Sequence, residues 1–219
     1  VSTRLIGALI MTHSDDRGLV LPPNLAPYQV VIIPIYKSQD EQKDIARAAE
    51  RIKSSLEEKN ISVKFDNRDK FKPGFKFNEY ELKGVPLRIA IGPNDLKNET
   101  VELARRDNLS KTLINQNEVL HHIEHCLKEI QELLFNKAQI FRDKNITKVD
   151  NFEEFKKVLN NKGGFISAHW DGTDLTEQTI KKITKATIRC IPLDCDEESG
   201  KCVYSGKDSN RRVLFAKAY

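Results

Sequence analysis

Cysteine is scarce in this chain: four in 219 residues, at Cys126, Cys190, Cys195 and Cys202. That is too few to staple a chain of this length, which argues against a disulfide scaffold and for a reducing, cytoplasmic setting. No apolar run approaches the roughly 20 residues that cross a bilayer, and no signal-peptide pattern opens the chain, so no membrane partner is expected. No charge of one sign dominates either, since 36 Lys and Arg stand against 32 Asp and Glu, a net charge of +4. That balance permits an RNA partner without demanding one. No glycine-rich phosphate loop follows the most apolar strand pattern, Tyr28–Ile35, which weighs against a small-molecule α/β domain of the dinucleotide-binding kind. Internal repeats and low-complexity tracts are also missing.

What is present is an α/β pattern long enough for one large or two modest domains. Ser2-Thr3 stands ahead of the apolar stretch Arg4–Met11, which predicts an N-capped helix buried along Leu5, Ile6, Leu9 and Ile10. The polar segment Thr12–Pro23 ends it. Leu25–Ile35 predicts a central strand buried on both faces. Asp40–Asn60 predicts a helix carrying Ile45, Ala48, Ala49, Ile52 and Leu56 on one stripe, and Ile61–Asp66 a second strand. Strand, helix, strand in that order implies a right-handed parallel crossover. Glu99–Arg106 and Lys111–Ile114 read as a hairpin, and Asn117–Asp143 as a long amphipathic helix. Beyond it a second α/β unit is expected: helices Asn151–Asn160 and Thr176–Lys185, and strands Phe165–Trp170, Ile188–Leu193 and Arg212–Ala216. Glu198–Lys201 is expected to be a hairpin turn.

The stretch Pro73–Leu96 organises the rest. It predicts a helix over Phe75–Lys83, a stop at Gly84, a strand over Pro86–Ile91 and a turn at Gly92-Pro93-Asn94-Asp95. This arrangement would carry Lys76, Glu79, Glu81, Lys83, Arg88 and Asp95 towards one neighbourhood. A carboxylate beside a guanidinium suits the reading of guanine edges. By residue type alone the same pair also fits a surface salt bridge between Glu81 and Arg88. The histidines His121, His122 and His125 share a stretch of the long helix, where a solvated face is the better reading than a metal site.

Three stretches carry a resemblance. Ser2–Pro23, opening S-T-R-L-I-G-A-L-I-M, resembles motif 3 of the prolyl-tRNA synthetases, a class II family, and the segment after it. Pro73–Leu96 resembles the family's anticodon-binding domain. The closing L-F-A-K-A-Y resembles the C-terminus of its archaeal/eukaryotic type. The resemblance implies three parts: the end of a catalytic domain over 1–24, an anticodon-binding domain with a mixed β-sheet flanked by helices over 25–122, and a smaller C-terminal α/β domain over 123–219. It implies that Arg4 clamps ATP phosphate. It places Glu81, Arg88, Asp95 and Lys111 against the proline anticodon, with Asn94 at a backbone contact and Tyr219 docking on the catalytic domain. The whole enzyme would use proline, ATP and magnesium to charge tRNA(Pro), as a cytoplasmic homodimer without DNA. The chain opens at Val1 on an apolar segment, which reads as a fragment of a longer protein, not itself catalytic. A stand-alone RNA-binding relative without catalysis is the alternative.

Many members of the family hold zinc through four cysteines in the C-terminal domain. Here the first two of those positions carry Asp171 and Thr176, and the closing pair becomes Cys202 with Tyr204 or Ser205. Cys190, Cys195 and Cys202 offer three sulfurs, but a structural zinc takes four ligands, and no fourth is apparent unless His169 or Asp171 swings in. The expectation is a domain that folds without metal.

Overall fold

A computed structural model of the chain describes residues 2–193 and 197–217. It divides into two compact units, 1–138 and 139–219. The expected boundary at 122/123 falls earlier, at the start of a helix whose Ile123, Leu127, Ile130 and Leu134 are all buried in the first unit's core.

The first unit opens with α1 (Arg4–His13), none of whose residues is buried. The expectation of a buried stripe is therefore corrected: Leu5, Ile6, Ile10 and Met11 are all exposed. Its cap also differs, because Thr3 makes no side-chain capping bond and Ser2 Oγ accepts from Arg4 N–H at 3.3 Å. β1 (Val30–Pro34) is buried throughout. Its alternate residues serve two cores: Val30 and Ile32 pack with α2 (Gln39–Glu57), while Val31 and Ile33 pack with Tyr80 and Val85 on the other face. α2 starts where Ser38 Oγ accepts from Glu41 N–H, with Asp40 and Glu41 placed favourably for the helix dipole.

β2 (Val63–Phe65) runs parallel to β1, as the crossover pattern requires. α3 (Pro73–Leu82) starts with proline in its first turn, and β3 (Leu87–Ile91) returns parallel to β1 on its other side. Between them Gly84 has φ +71°, and a Cβ there would meet Leu19 at 2.6 Å; only glycine suits both demands. The segment Gly92–Asp95 is not a free turn but the start of a short helix, α4 (Pro93–Lys97), because Asp95 Oδ2 accepts from Gly92 N–H at 2.8 Å and closes its first turn. β4 (Thr100–Arg105) and β5 (Lys111–Asn115) form the expected antiparallel hairpin on the β3 edge, giving a five-stranded sheet of order β2-β1-β3-β4-β5. A 3₁₀ turn at Gln116–Glu118 leads into α5 (Val119–Lys144), which shares the α2 face of the core. His121, His122 and His125 on α5 are exposed.

The second unit holds a four-stranded sheet of order β6-β7-β11-β8. β6 (Ile146–Lys148) runs parallel to β7 (Phe165–His169), with α6 (Phe152–Asn161) between them. α7 (Asp174–Thr184) precedes β8 (Ala186–Cys190), and β11 (Arg212–Lys217) is antiparallel to both β7 and β8. The expected strand Ile188–Leu193 thus starts and ends earlier. Leu193 lies beyond it, 99% exposed. Gly200–Lys201, expected as a turn, is itself a strand, β9, paired with β10 (Asp208–Ser209). The turn lies between them, where Cys202 N–H donates to Lys207 O and Gly206 N–H to Cys202 O. Phe155 and Phe215 meet edge to face at 5.2 Å in this unit's core. No described helix is long and apolar enough to cross a membrane.

Candidate nucleic-acid interface

On the α3 face of the first unit a cavity of about 270 Å³ opens among α3, β3, β4 and β5. Three of the predicted site residues line it: Glu81 from α3, Arg88 from β3 and Lys111 from β5. The geometry follows from the sheet. Arg88 is the one incompletely buried residue of β3, and its pleat partner across β4 is Ala104, opposite Lys111 of β5. A small residue between two cations leaves the sheet surface open there.

Arg88 stands over Phe77, its Cζ 3.7 Å from the ring centroid, a cation–π contact that helps hold the guanidinium in place. Its Nη2 donates to Glu102 Oε1 at 2.8 Å, while its Nε–H is buried without a hydrogen-bond partner among the described residues. Burial lowers its pKa, against the opposing pull of Glu102 and Glu81. Lys111 Nζ stands 3.7 Å from the same Glu102 oxygen. Glu81 does not pair with Arg88, so the simple salt bridge between them does not form. Its carboxylate instead accepts from Arg17 Nη1 at 3.2 Å.

The other predicted residues do not reach this cavity. Lys76 points the opposite way: it is 2% exposed, donates to Asp66 O at 3.0 Å and lies 3.7 Å from Asp66 Oδ1. Glu79 is held between Arg68 and Lys83 at 2.6 Å each. α3 therefore carries two separate charged faces, and spacing on the helix alone does not divide them. Asn94 and Asp95 sit on α4 outside the cavity lining, with Asp95 committed to Gly92. Arg4 is exposed at the start of α1, its guanidinium unbonded among the described residues. Tyr219 lies outside the described residues, as does Cys195.

Residues the sequence reading missed complete the site. Phe77 forms the platform, Glu102 joins the two cations, and Arg17 comes from a turn 64 positions before Glu81. Phe77 carried a weak signal, as one of three aromatics among the ten residues of α3. Arg17 carried none.

In the second unit the positions discussed for zinc form a hydrogen-bonded cluster. Asp171 accepts from Thr173 N–H and Oγ1, from Thr176 Oγ1 at 2.8 Å and from Ser205 Oγ at 2.7 Å. Burial raises the Asp171 pKa, but the donors from Ser205, Thr176 and Thr173 outweigh it and hold the carboxyl at about 2. His169 is turned to Ser209 Oγ at 3.2 Å, and no three His, Cys, Asp or Glu gather as a metal-ligand set among the described residues.

Comparison with known proteins agrees with this division. Residues 29–125 match the family model described as an anticodon binding domain, and residues 152–219 the model described as prolyl-tRNA synthetase, C-terminal. The chain is 61% identical over 219 residues to a proline–tRNA ligase of Flavobacterium johnsoniae, 63% to one of Flavobacterium psychrophilum and 55% to one of Porphyromonas gingivalis. In each case all of this chain is matched, but only 44% of the relative, so the chain spans less than half the length of these curated relatives. Over its whole length it is similar to proline–tRNA ligases, and its residues 152–219 match the model of the carboxyl-terminal part of prolyl-tRNA synthetases.

Proposed function

We propose that this chain is the carboxyl-terminal part of a proline–tRNA ligase of archaeal/eukaryotic type, and that its first unit reads the anticodon of tRNA(Pro). The whole enzyme joins proline to ATP as prolyl-adenylate and passes the prolyl group to the tRNA 3′ end, acting as a cytoplasmic homodimer. One observation carries the reading of this chain: α3, β3 and β5 bring Glu81, Arg88 and Lys111 to a single cavity, with Arg88 standing over an aromatic ring.

Proline anticodons share two guanines. Glu81 accepts from the N–H groups of a guanine Watson–Crick edge, and Arg88 donates to guanine O6. Lys111 serves a phosphate or a base acceptor. For Asn94 and Asp95 the support is the family resemblance alone, as it is for the docking of Tyr219. Arg4 would clamp ATP phosphate, but one exposed arginine is not an ATP site, and the nucleotide with its magnesium needs further ligands from elsewhere in the enzyme. In the second unit the Asp171 cluster does the tethering that zinc performs in other members.

The test is titration of stem-loop RNAs carrying the two-guanine anticodon or an adenine-substituted one, at fixed salt. Arg88→Ala and Glu81→Ala should each remove about 1–3 kcal/mol of discrimination between the two. Equal discrimination by the original chain and both variants overturns the assignment.

A further inference from the structure

The segment that follows α1 runs along the last residues of α3 and delivers Arg17 to the cavity. Asp15 and Gly18 exchange backbone hydrogen bonds at 3.1 Å, closing a tight turn with Arg17 at its tip. Three features hold this turn in place. Leu19 N–H donates to Leu82 O at 3.0 Å. Gly18 has φ +131°, and any Cβ would come within 2.6 Å of Leu82 O. Arg106, 4% exposed, donates through Nη1 and Nη2 to the two Asp15 carboxylate oxygens, through Nη2 to Gly18 O, and through Nε to Glu81 O. One buried guanidinium thus ties the turn to the backbone of Glu81. The Arg17 side chain itself is 61% exposed, and among the described residues its one hydrogen-bond partner is the Glu81 carboxylate.

A guanidinium presents parallel N–H donors on one edge, as guanine does with N1–H and its 2-amino group. Arg17 therefore satisfies Glu81 in the way the base would. A base arriving on Glu81 displaces a mobile cation that stays anchored at the mouth of the cavity by its rigid backbone. The nearest new partner for that cation is the phosphate of the arriving nucleotide, to which arginine binds well. We propose that Arg17 is a further RNA-binding residue, held on Glu81 in the free protein and transferred to backbone phosphate when the anticodon enters. This inference rests on the reading of the cavity as an anticodon site. It gives Arg17 a role in affinity, not in sequence choice.

The two RNAs above, titrated into the full 219-residue chain across a range of salt concentrations, separate the claims. Arg17→Gln should weaken both RNAs alike, by roughly tenfold at low salt. It should also lower the slope of log affinity against log salt by about 1, and leave the ratio between the RNAs unchanged. Arg17→Lys should restore the slope. An unchanged slope and affinity in Arg17→Gln overturns the phosphate role, and a changed ratio between the RNAs shows that Arg17 reads bases instead, which also overturns it. Circular dichroism on each variant confirms an intact fold, as expected for an exposed side chain. If the original chain does not prefer the two-guanine RNA and Arg88→Ala changes nothing, the anticodon reading itself fails, whatever Arg17 does.

Discussion

The two charged faces of α3 are built from the same residue types and behave differently. On one, Asp66 is fully buried and receives Arg68 through Nε at 2.9 Å and Nη2 at 2.7 Å, with Lys76 beside it and Glu79 closing the far side of Arg68. Each charge there has its partner within the cluster. On the other, among the described residues, Arg88 keeps a buried N–H unpaired, Lys111 has only a long contact at 3.7 Å, and Glu81 is met by an arginine that is mostly exposed. A polar cluster that completes itself holds a fold together. One that stops short leaves hydrogen-bonding capacity for something else.

Breaking the closed face should have the largest effect on stability. Asp66→Ala strands the Lys76 ammonium in the interior, a loss of about 3–5 kcal/mol for a broken buried pair, measurable by urea unfolding. The same change should leave discrimination between the two RNAs intact wherever the variant is folded. Arg88→Ala should show the reverse, with little lost in urea and most of the guanine preference gone. If Asp66→Ala unfolds no more readily than Arg88→Ala, the two faces are not distinct. The pH dependence follows the same division. Burial raises the Asp66 pKa, but the Arg68 hydrogen bonds and the charges of Lys76 and Arg68 bring it down to about 2. Its contribution is therefore complete above the unfolded carboxyl value of about 4 and is lost as the pH falls towards 2.

The second unit offers a middle case. Asp171 is half-buried and gathers donors from Thr173 before α7, from Thr176 in its first turn and from Ser205 of the β9–β10 hairpin, so it is closed like Asp66 but nearer to water. Asp171→Ala should cost about 1–3 kcal/mol, the price of leaving its donors unmatched, and Asp171→Asn less. Because its carboxyl is held at about 2, this contribution too is lost on acidification between about pH 4 and pH 2. Elemental analysis of chain purified without chelator or added metal should find no stoichiometric zinc. About one zinc per chain would show that metal, not the Asp171 cluster, ties the hairpin down.

How much of this was legible follows from the length of each pattern. β1 could be read because five consecutive apolar residues serve two cores, and α2 and α5 because their stripes repeat over several turns. β6, β9 and β10 could not, since two or three residues carry no period. Gly92–Asp95 reads equally as a turn or a helix start, and only the Asp95 bond to Gly92 decides it. α1 announced its apolar residues truthfully, but a pattern says what is apolar and not what covers it. Within the site, Glu81, Arg88 and Lys111 came from resemblance. Phe77, Glu102 and Arg17 needed the tertiary fold, because their partners lie 11, 14 and 64 positions away.

The smallest effect tests the open face most finely. Glu102 Oε1 serves both Arg88 at 2.8 Å and Lys111 at 3.7 Å, yet Glu102 is about one-third exposed. Glu102→Gln keeps an oxygen able to accept from Arg88 Nη2 and removes the negative charge. Without that charge the cavity becomes more positive, so affinity for any RNA should rise slightly. The hold on the Arg88 plane weakens at the same time, since a neutral acceptor binds a guanidinium less firmly than a carboxylate does. Discrimination should therefore fall, by about 0.5–1 kcal/mol for a partly exposed pair. Tighter binding with poorer choice is a combination that neither lost folding nor a lost contact produces. Unchanged discrimination in Glu102→Gln would mean that the Phe77 ring alone orients Arg88, and that Glu102 serves only to balance charge.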